Sequence, residues 1–379
     1  QSLNTGKNMI NLRTRKVIFT VALSVALSSG AFADLNVGIA GPATGSVAFL
    51  GEQQEIGAQR AISDINAAGG VLGEIINTIV VDDACDGQQA LAAAQQLVST
   101  KVVFVNGHMC SGASIAASPI YNKAGIIMMS PASTNPRLTD DGGANVFRVI
   151  GRDDDQAVVA ADLIVAEFPG KKIAVVSGVN PYGTELAKGL VGELAKREVV
   201  PELVLSFATD RSSYASLVDQ LVAAQIDVAY LVSNSPRDVG LIAFEAREAL
   251  PDIQFLSGDA LSSEDFLLVA GDAGVGTLFT FGPDPRTLPS AAVVTAAIRD
   301  EEFYDPAGYT LYSYAVIQAW AQAVELAGSF DKGQVISALQ AHEFDTIIGL
   351  IGFNEKGDVT GVSNFVIYEY GTETYFQRP

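Results

Sequence analysis

The sequence is poor in the residues from which metal centres and disulfide-rich scaffolds are built. Its 379 residues include only two histidines, two cysteines and one tryptophan. These numbers exclude a zinc finger, an iron–sulfur cluster and a scaffold held mainly by disulfides. A metal site would have to consist of carboxylates alone, and no pattern indicates one. We therefore expect neither a metal nor a cofactor.

Positive charge is also scarce. Lysine and arginine number 23 against 43 aspartate and glutamate residues, which gives a net charge of −20. A surface this acidic repels phosphate backbones, so the composition excludes nucleic acid as a partner. Because 49% of the residues are hydrophobic, a chain of this length can bury a full core, and two lobes are expected rather than one.

The start of the chain resembles an export signal. Three basic residues between positions 13 and 16 precede a short apolar run, and small residues follow up to Ala33. This pattern is typical of a leader over residues 1–33 in which a cleavable signal peptide begins near Met9. The apolar run is shorter than the roughly 20 residues that span a bilayer. We therefore expect a periplasmic protein that is not membrane-anchored.

Export gives the two cysteines a context. Cys85 and Cys110 would meet an oxidising compartment, where a bridge between them would stabilise the fold by roughly 3–4 kcal/mol. The alternative is a nucleophilic Cys110 assisted by His108, because residues at this spacing share one face of a strand. An even pair in an exported chain favours the bridge.

Apolar runs alternate with segments of helical periodicity along the chain. Ala58, Ala61, Ile62 and Ile65 follow the i, i+3, i+4, i+7 spacing of one buried helix face. Near-continuous apolar strands separated by helices predict an α/β fold with parallel sheets. The predicted strands are residues 35–40, 75–81, 102–105, 126–129, 173–176, 228–232, 278–281 and 365–370.

Two breaks rich in glycine, proline and aspartate divide this series, at residues 151–155 and 282–285. The residues between them form a strand–helix series of their own. This arrangement predicts two Rossmann-like lobes around a ligand cleft, joined by several crossovers. The first lobe would contain residues 34–152 and 283–364, and the second residues 153–282 and 365–379.

Familiar catalytic and phosphate-binding motifs are missing from the sequence. The turn after the first strand, from Gly41 to Gly51, lacks the G-x-G-x-x-G spacing and contains Pro42. The sequence also contains no P-loop and no G-x-S-x-G nucleophile elbow. Oxidoreductase and nucleotidase activities are therefore disfavoured.

Small polar residues follow two of the predicted strands, at residues 110–114 and 130–134. Ligands of α/β proteins bind at the carboxyl ends of parallel strands. Free N–H groups and hydroxyls at a helix N-terminus suit a carboxylate, although ordinary helix capping would also explain these residues. The nearby acids Asp82, Asp83 and Asp86 lack a calcium-loop pattern, so we interpret them as solvated residues at a strand end.

Six segments carry a resemblance to a known family: residues 64–70, 82–86, 107–111, 130–134, 181–183 and 354–358. Through them the chain resembles the type I periplasmic binding proteins of branched-chain amino acid ABC transporters, the leucine/isoleucine/valine-binding family. The resemblance implies a bilobal receptor, not an enzyme, that closes on an amino acid and delivers it to a membrane permease. It also implies a disulfide between Cys85 and Cys110.

The resemblance further implies which residues bind the ligand. The carboxylate would be bound by the Ser111 hydroxyl and by the backbone and side chain of Thr134, with Ser133 in the same turn. The carbonyl of Ala132 would accept a hydrogen bond from the ammonium.

Three more residues complete this implied site. Asp259 would pair with the ammonium, Tyr182 would close over the ligand from the second lobe, and Tyr309 would form an aromatic wall.

The sequence departs from the family pattern at three positions of the site. Leu50 stands where the family has an aromatic side chain, and Asn234 or Ser235 stands where it has a tyrosine. Asp259 is one methylene shorter than the usual glutamate. The ligand could therefore be an apolar amino acid or, on the same scaffold, an amide, a urea-like molecule or an aromatic acid. A sensory ligand-binding module and an enzyme using Cys110 remain alternatives.

Overall fold

Two β-sheets share most of the strands of the chain. The computed structural model describes residues 35–362 and 364–379, so the predicted leader lies outside the described residues. Sheet 1 is wholly parallel, with the strand order β2-β1-β3-β4-β5. Its strands are β1 (Leu35–Gly41), β2 (Ile76–Asp82), β3 (Phe104–Gly107), β4 (Ile127–Ser130) and β5 (Val146–Arg148).

Helices connect the strands of sheet 1 and bury its apolar side chains. The helical spacing predicted from the sequence is confirmed in the first of them, where Ala58, Ala61 and Ile62 are buried. The helices of this part of the chain are α1 (Ala48–Ala67), α2 (Gly87–Ser99), α3 (Ser111–Ala124) and α4 (Arg137–Asp140).

Sheet 2 is built from the middle and the last part of the chain. Its strand order is β15-β14-β10-β9-β8-β6-β7, and β14 and β15 run antiparallel to their neighbours. Its strands are β6 (Ile173–Gly178), β7 (Leu203–Phe207), β8 (Val228–Val232), β9 (Gln254–Ser257), β10 (Leu278–Phe281), β14 (Val366–Tyr370) and β15 (Tyr375–Gln377). Its helices are α5 (Asp153–Glu167), α6 (Pro181–Lys196), α7 (Ala215–Ala224), α8 (Pro236–Ala249) and α9 (Asp265–Ala270).

The segment between β10 and β14 returns to sheet 1. Trp320 in this segment stacks on Phe104 of β3, with ring centroids 4.8 Å apart, so residues far apart in sequence form one core. The segment contains α10 (Ala292–Glu302), α11 (Thr310–Ala327), α12 (Lys332–Ala341) and a small antiparallel sheet of β11 (Phe344–Thr346), β12 (Gly349–Phe353) and β13 (Val359–Thr360). We call sheet 1, together with the elements packed on it, the sheet 1 half. Sheet 2 and the elements packed on it form the sheet 2 half.

The α/β fold predicted from the sequence is confirmed. All eight predicted strands are present, with ends within two residues of the prediction. Sheet 2 departs from parallel pairing at β14 and β15, which pair antiparallel, because apolar patterning does not encode strand direction. The lobe boundaries stay a prediction.

Two negative findings apply to the described residues. No helix within residues 35–362 and 364–379 is both long and apolar enough to cross a membrane. The same part of the chain holds no group of three or more His, Cys, Asp or Glu side chains placed to bind a metal ion.

Candidate functional site

A small cavity of about 30 Å³ lies where the two halves meet. Residues from both halves enclose it, most of them apolar. Seven of the nine predicted ligand-binding residues line it, whereas Ser133 and Thr134 do not. The lining consists of Leu50, Met109, Cys110, Ser111, Ala132, Tyr182, Asn234, Asp259, Ala260 and Tyr309.

The topology explains why these residues meet. Ser111 and Ala132 follow β3 and β4 of sheet 1, while Tyr182, Asn234 and Asp259 follow β6, β8 and β9 of sheet 2. The carboxyl ends of parallel strands lie at one edge of a sheet, where α/β folds bind their ligands. Here the two edges face each other across the cavity. A larger groove of about 510 Å³ lies elsewhere, lined by parts of β1, the turn that follows it, β2, α1 and α10.

Asp259 is the charged centre of the cavity. Its side chain is 2% exposed. Oδ1 accepts hydrogen bonds from Gln156 Nε2 at 2.9 Å and from the Tyr182 hydroxyl at 2.8 Å. Oδ2 accepts from the Tyr309 hydroxyl at 2.5 Å, which joins the two halves. Burial raises the pKa of Asp259, and the three hydrogen bonds oppose this shift.

Two of these three donors go beyond what the sequence indicated. Gln156 was not predicted, and Tyr309 was predicted only as an aromatic wall. Gln156 is fully buried in α5, one turn after the buried Asp153. The only sequence signal for Gln156 is this spacing of polar residues on one helix face, directly after the predicted break.

The start of α6 fixes the position of Tyr182. The Asn180 side chain caps this helix by accepting a hydrogen bond from the Gly183 N–H at 2.8 Å, and Pro181 is the first helical residue. A Cβ atom on Gly258 would lie 2.3 Å from the Tyr182 hydroxyl oxygen. Glycine at this position therefore lets the tyrosine reach Asp259.

The turn after β4 faces the N-terminus of α3. Ser111 is the first residue of α3, and its hydroxyl accepts a hydrogen bond from the Asn135 N–H at 3.3 Å. The Ser133 hydroxyl donates to the Met109 carbonyl at 3.0 Å, so it stabilises the turn. The buried Thr134 Oγ1 has no hydrogen-bond partner among the described residues.

A buried arginine stabilises this turn by donating hydrogen bonds to its carbonyl groups. Arg148 Nη1 donates to the carbonyls of Ser133 and Asn135 at 2.9 and 3.0 Å. Nη2 donates to the Thr139 hydroxyl at 2.6 Å, and Nε lies 2.8 Å from Asp358 Oδ1. Burial lowers the pKa of Arg148 to about 10, so the guanidinium is still charged at neutral pH.

The interpretation of the acids near β2 as solvated is wrong for Asp83. This residue is fully buried, and its Oδ2 lies 2.6 Å from His108 Nδ1. His108 Nε2 lies 2.9 Å from the Tyr121 hydroxyl. Asp86 caps α2 by accepting hydrogen bonds from backbone N–H groups.

The bridge between the two cysteines is confirmed. Cys85 and Cys110 form a disulfide, and His108 is engaged with Asp83 and Tyr121 instead of a thiol. A disulfide sulfur has no thiol proton to lose to a base. The alternative of a nucleophilic Cys110 is therefore wrong for this structure.

Comparison with known proteins agrees with this geometry. The family model described as periplasmic binding protein matches residues 34–374. The chain belongs to the periplasmic binding protein family.

Curated relatives of this binding protein cover nearly its whole length. A Pseudomonas aeruginosa protein named amino acid binding protein is 39% identical over 371 residues, covering 96% of this chain and 98% of the relative. The Leu/Ile/Val-binding protein homolog 1 of Brucella melitensis is 39% identical over 376 residues, covering 96% and 100%. The crystal structure of the leucine binding protein LivK from Thermotoga maritima superposes with a TM-score of 0.84 at 23% identity, covering 91% and 98%.

The resemblance predicted from the sequence is thereby confirmed. The curated relatives of this chain are named as binding proteins, which agrees with the prediction of a receptor rather than an enzyme. The roles of the individual site residues stay predictions.

The hydrogen bond between Tyr309 and Asp259 gives a first testable prediction for the binding protein. Tyr309→Phe removes the donor to Asp259 Oδ2 and leaves this buried oxygen unsatisfied. We expect the free energy of unfolding to fall by about 2 kcal/mol, measured by urea denaturation. Tyr304→Phe is the matched control, because the Tyr304 hydroxyl contacts Thr310 and not Asp259. Equal stability of the two variants would contradict the prediction.

Proposed function

We propose that this binding protein is the receptor of an ABC importer and captures an amino acid with an apolar, branched side chain. The observation that carries the proposal is Asp259, a buried carboxylate in a cavity whose other walls are mostly apolar. The proposal is supported by two curated relatives named amino acid binding protein and Leu/Ile/Val-binding protein homolog 1.

The ammonium group of the ligand binds at Asp259. A carboxylate buried this deeply is costly unless it is paired, and an ammonium supplies both charge and N–H donors. The carbonyl of Ala132, which also lines the cavity, accepts another of the ammonium hydrogens. Asp259 is shorter than glutamate, so the ammonium sits deep on the sheet 2 side.

The carboxylate group of the ligand binds at the opposite wall. Ser111 offers its hydroxyl at the N-terminus of α3, where the helix dipole favours negative charge. Thr134 offers a backbone N–H and a hydroxyl.

The side chain of the ligand packs on the apolar lining. Leu50, Met109 and Ala260 supply aliphatic surface in the cavity, and such surface stabilises a branched aliphatic group by excluding water. Leu50 takes the place of an aromatic side chain at the expected wall position. This composition favours leucine, isoleucine or valine over a polar or charged amino acid.

Binding closes two lobes around the ligand. The lobes are residues 34–152 with 283–364 and residues 153–282 with 365–379, and the crossovers between them act as hinges. The cavity of about 30 Å³ has room for about one water molecule, so the lobes must move apart to admit an amino acid. This movement breaks contacts between them such as the hydrogen bond from Asn135 Nδ2 to the Pro181 carbonyl, at 2.9 Å. A ligand that contacts both lobes then favours the closed form, which docks on the permease.

The receptor works in the periplasm. Residues 1–33 are a leader whose signal peptide, from about Met9, directs export and is then removed. The disulfide between Cys85 and Cys110 suits this oxidising compartment.

A thermal-shift screen tests the proposal. The protein that begins at Asp34 is heated with each of the twenty amino acids and with acetamide, urea and benzoate. We expect leucine, isoleucine and valine to raise the melting temperature, because a ligand at about 100 times its Kd adds about 2.7 kcal/mol of stability. A shift with acetamide, urea or benzoate alone would contradict the amino acid assignment. No shift with any compound would contradict the receptor role at this site.

A further inference from the structure

A second groove adjoins the ligand cavity on its outer side. It encloses about 360 Å³ and is lined by residues of both halves, among them Cys85 and Gly112 from one and Pro181 and Thr209 from the other. Asn234 is common to the linings of the groove and of the cavity. Its side chain therefore stands at the boundary between them.

Asn234 reaches across to the disulfide at this boundary. Its Nδ2 lies 2.8 Å from Cys85 Sγ, as a donor to the sulfur. The other half of the disulfide, Cys110, lines the ligand cavity, whereas Cys85 lines the outer groove. Asn234 and the disulfide thus form one partition, built from both halves, between ligand and solvent.

Both sides of the partition are held in place. On the sheet 2 side, Ser235 directly after Asn234 caps α8 by accepting a hydrogen bond from the Asp238 N–H at 3.2 Å. On the sheet 1 side, the Cys85 N–H donates to Asp83 Oδ1 at 2.7 Å. Asp83 is fixed in turn by His108, 2.6 Å away. The hydrogen bonds of Asp83 therefore fix the position of Cys85, whose sulfur Asn234 contacts.

We propose that Asn234 is the gate of the ligand cavity and that the Cys85–Cys110 disulfide is the surface on which this gate closes. The inference rests on the proposed function, because a gate matters only if the cavity holds a ligand. It gives the disulfide a part in ligand retention in addition to its part in stability. The contact joins the two halves, so it exists only when they are closed, and its loss accelerates ligand release more than it slows entry.

Release kinetics of Asn234 variants test the gate. Stopped-flow fluorescence measures koff and kon for L-leucine, or for the amino acid with the largest thermal shift in the screen. We expect Asn234→Ala to raise koff about fivefold and to change kon by less than about twofold. Asn234→Asp retains the size of the side chain but not the amide donor, and should behave in the same way. Thr209→Ala is the matched control, because Thr209 lines the same groove but makes no hydrogen bond to the disulfide in the part of the chain that the structure describes.

The coupling to the disulfide is tested by a double-mutant cycle. In the Cys85→Ala/Cys110→Ala background, adding Asn234→Ala should leave koff unchanged, because the surface for the gate is already gone. An equal increase with and without the disulfide would overturn the inference. So would an unchanged koff for Asn234→Asp with the disulfide intact, a measurement that does not depend on folding of the cysteine-free protein. Absence of binding to every amino acid by the unmodified protein would overturn the proposed function, and the gate with it.

Discussion

We expect Asp259→Asn to abolish amino acid binding and yet to make the protein more stable at neutral pH. The carboxylate is 2% exposed and accepts hydrogen bonds from Gln156, Tyr182 and Tyr309. Asparagine has nearly the same shape, and the Tyr309 hydroxyl can rotate to accept from its amide. The change therefore removes the charge that binds the ammonium while retaining the packing.

The gain in stability follows from the direction of the pKa shift. Burial raises the pKa of Asp259 in the folded protein above the value of about 3.9 in an unfolded chain. The stability contributed by this group is therefore complete below the unfolded pKa and is lost as the pH rises through the folded pKa. Asparagine does not ionise, so the variant avoids this loss. Its advantage should be large at pH 8 and smaller at pH 5.

Calorimetric titration with L-leucine and urea denaturation at the two pH values measure both effects. We expect a loss of affinity of at least about 100-fold, since a charge-assisted pair is removed. Asp162→Asn is the matched control, an exposed aspartate of α5 that pairs with Arg197, and it should change neither quantity. Wild-type affinity of Asp259→Asn, or a lower stability at pH 8, would contradict the assignment.

A second large effect is expected at Arg148. Arg148→Met leaves Asp358 with one cationic partner, Arg152 at 3.1 Å, and with the hydrogen bond from the Thr139 hydroxyl at 2.7 Å. The change also removes the donors to the Ser133 and Asn135 carbonyls. Breaking a buried ion pair from one side costs about 3–5 kcal/mol when the remaining charge is uncompensated. Arg152 offsets part of the charge on Asp358, but the loss of the donors to the two carbonyls adds to the cost. We expect a decrease of this size in the free energy of unfolding, measured by urea denaturation.

Two comparisons show whether the loss arises from the buried charge. Arg148→Met combined with Asp358→Leu should regain part of the stability, because neither charge then remains. Arg137→Met removes an exposed arginine whose partner is Asp141, and should cost less than about 0.5 kcal/mol. If the Arg148 and Arg137 variants were equally stable, the buried network would not have the role described here.

Local patterns were sufficient to predict most of the fold. The apolar runs that become β1, β6 and β8 are bounded by turn residues, and the helical spacing around Ala58 is a property of neighbouring residues. Strand direction could not be predicted in this way, because it depends on which distant segment of the chain a strand pairs with. The antiparallel β14 and β15 were therefore beyond prediction from periodicity.

Acidic residues that follow strands show that the partners of single side chains are equally hard to predict from local sequence. Asp83 and Asp259 both follow an apolar strand, and both are buried. The resemblance assigned Asp259 to the ligand, but nothing in the sequence near Asp83 indicates the His108 side chain that faces it. Gln156 was missed for the same reason, because it meets Asp259 across 103 positions of sequence.

The interleaving of the two sheets also constrains how the chain acquires its structure. Sheet 2 lacks two strands until residues 366–377 are present, and Phe104 in sheet 1 lacks its stacking partner until Trp320 is present. Neither hydrophobic core can therefore be completed by a chain that lacks its last residues. Both halves are completed only when the last part of the chain, from Trp320 to residue 377, is present. The two halves therefore complete their folding together.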